Sequence, residues 1–133
     1  MKEEIMDRQS YYKWLFIIGA VWNWGASVLF FFWHDPIFAW LNMKALNYPA
    51  TMQLAMSLVF VFGIGYYWVS KDIFMNHDIV KLGIIAKTLV FVVFSYHYFI
   101  GNMPLPIFLC GVVDLIFAIL FIQFLMNVGK IKA

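Results

Sequence analysis

Hydrophobic residues gather along this chain into four long blocks, at about 14–33, 51–70, 80–100 and 105–126, separated by shorter polar stretches. Each block holds roughly 20 residues, and a helix of that length rising about 1.5 Å per residue crosses a hydrocarbon core about 30 Å thick. A membrane β-barrel would show shorter segments of strict alternation instead. The pattern predicts an all-α integral membrane protein, a four-transmembrane-helix antiparallel bundle formed by 1–133 as a single domain.

The connections differ in character. Gly101, Asn102, Met103 and Pro104 leave almost no loop between the third and fourth blocks, so these two spans form a tight hairpin. Asn102 is a candidate cap there, and Pro104 and Pro106 suit a first helical turn. The connection after the first block is apolar for a loop, with Phe38, Trp40, Leu41, Leu46 and Tyr48. It predicts a short interfacial helix in the first outer loop, serving either as a surface anchor or as a lid over a ligand pocket. Lys2, Arg8 and Lys13 precede the first span, Lys71 and Lys81 bracket the second connection, and Lys130 and Lys132 follow the last span. Four spans put all of these on one side and Lys44 alone on the other, so both termini are expected in the cytoplasm (N-in/C-in).

Composition narrows the function classes. At 65% hydrophobic and 12% charged, 133 residues cannot hide their apolar surface in a soluble fold of this size. The 21% of aromatic residues suits a protein with rings at two membrane interfaces. A net charge of +2 is too small and scattered for nucleic acid. Cys110 stands alone, which excludes a disulfide framework and a thiolate metal site. The N-terminal segment mixes Glu3, Glu4 and Asp7 with basic residues, and the apolar run after it ends in FFFWHDP rather than a small-residue cleavage site. The first span is therefore expected to stay in place.

Against this background the residue that draws attention is Asp114, midway along the last block. A carboxylate at that depth costs at least ~2.5 kcal/mol and needs a partner, a proton or a role. Asn23 falls near the middle of the first span, flanked by Trp22 and Trp24, and Lys87 a few Å to the cytoplasmic side of the middle of the third. These groups can converge at one level. A tight hairpin sets Asp114 opposite about Phe91, ~6 Å along the axis from Lys87 and within a lysine's reach. Side chains lean toward their own helix N-terminus, however, which draws Lys87 and Asp114 apart. Two readings of Lys87 stay open: an ion pair with Asp114, or snorkelling to the inner headgroups. Asp114 itself either pairs, or is protonated and donates to Asn23, Ser95 or a carbonyl, or faces a hydrated or ligand-filled cavity.

Catalytic chemistry finds no foothold. The chain has no phosphate-binding glycine loop, no CxxC, no GxSxG and no HExxH, so no catalytic residue is assigned and an enzyme acting alone is not expected. The pairs His34-Asp35 and His77-Asp78 fall on opposite membrane faces and cannot share an ion. His97 lies between Tyr96 and Tyr98, and no metal site is expected.

The Asn23/Gly25 pair, GIGYYW at 63–68, KLGIIAK at 81–87 and VDLIFAILF at 113–121 together resemble the small four-helix bacterial membrane proteins grouped as DoxX-like. The resemblance implies a bundle in the bacterial inner (cytoplasmic) membrane. The family name is associated with a membrane subunit of a thiosulfate–quinone oxidoreductase, but the resemblance carries no redox residue onto this chain. A more distant likeness in architecture is to sterol-binding four-helix proteins with buried acids.

Three functions are open on this reading. The first is binding of a lipophilic molecule (a quinone, an isoprenoid or a lipid) in a midplane pocket formed by Asp114, Asn23, Lys87, Trp22, Trp24, Phe91 and His97. The second is a non-catalytic assembly subunit docked on a larger membrane complex, for instance an oxidoreductase. The third is a proton- or ion-coupled transporter acting as a homo-oligomer.

Overall fold

In the computed structural model, which describes residues 2–131, the chain forms five α-helices and, among the described residues, no strand. They are α1 (Lys2–Phe32), α2 (His34–Trp40), α3 (Pro49–Lys71), α4 (His77–Phe99) and α5 (Leu105–Asn127), with a closing 3₁₀ turn at Val128–Lys130. Four of them, all but α2, are long and apolar enough to cross a membrane. Lys132, one of the basic residues used for orientation, lies outside the described residues.

Helix α1 starts well before the apolar block. Its first turns hold Glu, Met, Arg, Gln and Lys, all good helix formers, with no Gly or Pro before Gly19. Glu3 and Glu4 also sit favourably in the first turn of the helix dipole. The expected short helix in the first connection is α2, followed by Asn42 in the left-handed region at φ 58°. Asn42 N–H donates to the Ala39 carbonyl and Met43 N–H to that of Phe38, which closes the last turn of α2. Gly101, at φ 82°, does the same for α4, with Gly101 N–H on Tyr98 and Asn102 N–H on His97. Asn102 thus belongs to the C-terminal closure of α4. The N-cap of α5 is Pro104, without a side-chain hydrogen bond.

The four long helices associate as two pairs. Helix α1 runs closely along α3, and α4 along α5. Glycines permit both approaches. A Cβ on Gly63 would come within 2.6 Å of the Trp24 indole, and one on Gly111 within 2.9 Å of the Phe94 ring. Between the pairs, large rings replace close backbone contact. Tyr12 meets Phe124 at 5.1 Å, Phe16 stacks on Phe121 at 4.8 Å, and Tyr66 meets Phe121 edge-on at 5.1 Å.

This aromatic seam occupies only one half of the molecule. The main core, which includes Tyr12, Phe16, Ala20, Tyr66, Val69, Phe117, Phe121, Phe124 and Ile131, lies toward the end carrying both chain termini. Gln9 of α1 donates to the Ile131 carbonyl there, and Asn127 to the Tyr12 hydroxyl. Among the described residues, every hydrogen bond and ring contact joining the α1/α3 pair to the α4/α5 pair lies in this half or at the level of Asp114. Toward the end carrying α2, each pair keeps its own contacts, such as Gln53 to the Phe31 carbonyl and Tyr98 stacked on Phe108 at 4.4 Å. His34, Phe38, Ser27 and Ile107 are buried at that end, apart from the main core.

The outward surface is apolar. Leu82, Ile85, Leu89, Val92 and Val93 are each more than half exposed on one helix. Since lipid tails are as apolar as these side chains, the association rests on packing and hydrogen bonds rather than transfer from water. The glycine contacts should then be sensitive to volume. Gly63→Ala is expected to destabilise the fold by about 1–3 kcal/mol, the usual cost of overpacking, because the indole of Trp24 must move. Thermal unfolding in mild detergent checks this, with Gly25→Ala, whose Cβ would meet nothing within 4 Å, as the neutral comparison.

Candidate functional site

At the level where the aromatic seam stops, three helices contribute polar side chains to one cluster. Each arrives there by helical spacing. Along α1 the buried stripe runs Tyr12, Leu15, Phe16, Gly19, Ala20, Asn23, Ser27, at steps of three and four. On α5 Gly111, Phe117, Ala118 and Phe121 are buried around Asp114, and on α4 Gly83 and Lys87 share a face.

Lys87 is the centre of the cluster. Its Nζ donates to Asp114 Oδ1 at 2.7 Å and to Asn23 Oδ1 at 3.0 Å. The ammonium also lies 5.1 Å from the centre of the Phe117 ring and 5.5 Å from that of Tyr66, distances at which ring faces attract a cation. Trp22 Nε1 donates to the same Asp114 Oδ1 at 3.1 Å, and Asn23 Nδ2 donates to the Val59 carbonyl of α3 at 3.1 Å. One lysine is thereby tied to all four long helices.

Of the two expectations for Lys87, pairing is what the structure displays. Whatever the opposed lean expected of the two side chains, Lys87 Nζ reaches Asp114 Oδ1 at 2.7 Å. Gly83, one turn away, helps. A Cβ there would come within 2.7 Å of Tyr66, so its absence lets the Tyr66 ring lie against α4 beside the ammonium. Tyr66 was not legible as a site residue: a tyrosine next to Gly63 and Gly65 in an apolar span signals small-residue packing and nothing more.

The remaining candidates lie elsewhere. Trp24 turns toward α3, against Gly63, Phe60 and Tyr67, and its buried Nε1 has no hydrogen-bond partner among the described residues. Phe91 lies toward the α2 end, 6.3 Å from Phe108. His97 is near the end of α4, where its Nδ1 is 3.1 Å from the Asn102 amide. Ser95 Oγ is buried without a partner among the described residues, Asp114 included. No group of three His, Cys, Asp or Glu placed to hold a metal ion occurs among the described residues.

The two members of the ion pair differ in access. The Lys87 side chain is 4% exposed and that of Asp114 17%. Both protein donors reach Asp114 through Oδ1, which leaves Oδ2 without a hydrogen bond from the described residues. Two clefts lie away from the cluster. One of about 650 Å³ at the terminal end is lined by Glu4, Asp7, Arg8, Tyr11, Tyr12, Asn127 and Lys130. Another, of about 350 Å³ and mostly apolar, lies between α1 and α3 near Ser27, Phe31, Met56 and Phe60.

No family model, curated protein or solved structure matches the chain.

Breaking the pair from one side should be costly, since it strands a buried charge. Lys87→Met is expected to destabilise the protein by roughly 3–5 kcal/mol, and the double variant Lys87→Met/Asp114→Leu to recover most of that loss. Unfolding of the wild type, both single variants and the double variant, read as a double-mutant cycle, measures the coupling.

Proposed function

We propose that this protein is a small multi-pass membrane protein, an antiparallel four-helix bundle, that binds a lipophilic molecule carrying a polar group. Asp114 is the point of attachment. The candidate ligands are a quinone, an isoprenoid or a lipid. The reading rests on one observation: the Asp114 carboxylate is oriented through a single oxygen by Lys87 and Trp22, while its side chain stays more accessible than that of the lysine it pairs with. It stands where the ring packing between the two helix pairs ends, so an apolar molecule entering from the α2 end would reach it between them. Helix α2, which buries His34 and Phe38, covers that end on this reading.

We place the chain in the bacterial inner membrane with both termini in the cytoplasm. Support comes from the basic residues at the terminal end and from the DoxX-like pattern of its span motifs. A role as a subunit of a larger membrane complex is compatible with ligand binding, because the broad apolar faces of α4 could meet lipid or other helices equally well.

Native mass spectrometry of the protein extracted gently from its own membrane tests the reading. A small lipophilic mass is expected at one per chain, reduced or lost in Lys87→Met/Asp114→Leu and kept in Gly25→Ala. Protein partners in fixed ratio with no small molecule would instead make this an assembly subunit. Orientation is checked separately with single cysteines at Asn42 and Asn76 in a Cys110→Ser background. An impermeant maleimide added to intact cells stripped of their outer barrier should label position 42, and position 76 only after the inner membrane is opened.

A further inference from the structure

The polar atoms of the cluster narrow the class of ligand that Asp114 would hold. Lys87 Nζ has three hydrogens. Two are used on Asn23 Oδ1 and Asp114 Oδ1, and the third direction is filled by the Phe117 and Tyr66 rings. Trp22 Nε1 has a single hydrogen, used on Asp114 Oδ1, and one of the two Asn23 Nδ2 hydrogens is used on the Val59 carbonyl. The two donors in contact with the carboxylate, Lys87 Nζ and Trp22 Nε1, are both spent on its Oδ1. Asp114 Oδ2, by contrast, is an acceptor that no described residue engages, on the side chain that retains access.

We infer that the ligand presents a hydrogen-bond donor to Asp114, a hydroxyl on an otherwise apolar molecule, and is bound in preference to one with only carbonyl or ether oxygens. This rests on the binding role of Asp114 proposed above and deepens it. Among the candidate classes it favours an isoprenoid alcohol, a lipid with a free hydroxyl, or a quinol over the oxidised quinone. The hydroxyl donates to Oδ2, and the ion pair stays closed. Lys87 then acts as a positioning residue: it holds the carboxylate by one oxygen and turns the other toward the ligand. A neutral amide in place of Asp114 would keep the shape and lose the charge that strengthens the bond.

A matched series of probes tests this. Farnesol, its methyl ether and farnesal share one chain and differ only in the polar end. The wild-type protein in nanodiscs of a saturated phosphatidylcholine is titrated with each, and retention is read by native mass spectrometry. Farnesol should be retained one per chain at a concentration roughly tenfold or more below that needed for the ether or the aldehyde, as expected for a hydrogen bond to a charged group. The preference should vanish in Lys87→Met/Asp114→Asn, a variant with no unpaired charge and nearly unchanged volume. Equal retention of all three probes, reduced in parallel by the double variant, would overturn the donor preference and leave the lipophile site standing. A farnesol preference that survives in the double variant would place the selecting group elsewhere and overturn the assignment to Asp114. Retention of none of the three would overturn both the donor preference and the binding role.

Discussion

An ammonium group held among apolar helices has few ways to be satisfied, and the arrangement of this bundle follows from how Lys87 is satisfied. In hydrocarbon every polar group must find its partner inside the protein. Lys87 takes an acid from α5 and an amide from α1, and the amide in turn takes a carbonyl from α3. Because these bonds have nearly fixed lengths, they set the relative height of the four long helices. Ring packing alone would tolerate sliding, since aromatic side chains pack almost as well in neighbouring registers. A polar network does not, because a shift of one turn strands a charge. The cluster therefore serves as the element of register in a molecule otherwise held by glycine contacts and stacked rings.

The same cluster divides the bundle. On the terminal side, the two helix pairs are joined by Tyr12, Phe16, Tyr66, Phe117, Phe121 and Phe124, which fill the space that the widely set pairs leave between them. On the α2 side each pair keeps its own contacts, with Phe94 against Gly111 in one and Gln53 bonded to the Phe31 carbonyl in the other. At that boundary stands a carboxylate with one oxygen that no described residue engages. The ion pair thus has two consequences from one geometry: it locks the register and leaves an oriented acceptor where the packing ends.

Several features were readable in the residues because they depend only on local physics. Four apolar blocks of about 20 residues give four long helices, since length and hydropathy alone decide that a backbone in lipid must be helical. The short apolar helix after the first span and the chain reversal at Gly101 were equally local. So was the depth of Asn23, Lys87 and Asp114, which follows from counting 1.5 Å per residue. Other features were not. The helical extension of α1 back to Lys2 escaped a reading based on hydropathy, because polar helix formers carry no apolar signal. Adjacent tryptophans on one helix point in different directions, so Trp22 could join Asp114 while Trp24 turned to Gly63, and composition gave no means of telling them apart.

Length, hydropathy and position along each apolar block were enough to give an all-helical chain, four helices able to cross a membrane and the level at which their polar groups lie. The tertiary structure alone decided which of those groups meet. Whether Lys87 reached Asp114 or the headgroups depended on the rotation of α4 against α5 and on the space that Gly83 leaves for Tyr66. Rotation about a helix axis in lipid is set by packing between helices. All four spans are apolar nearly all round, so no hydrophobic face marks which side turns inward. Only the small residues, rings and polar contacts of the assembled bundle choose the angle, and these exist only once the helices are together.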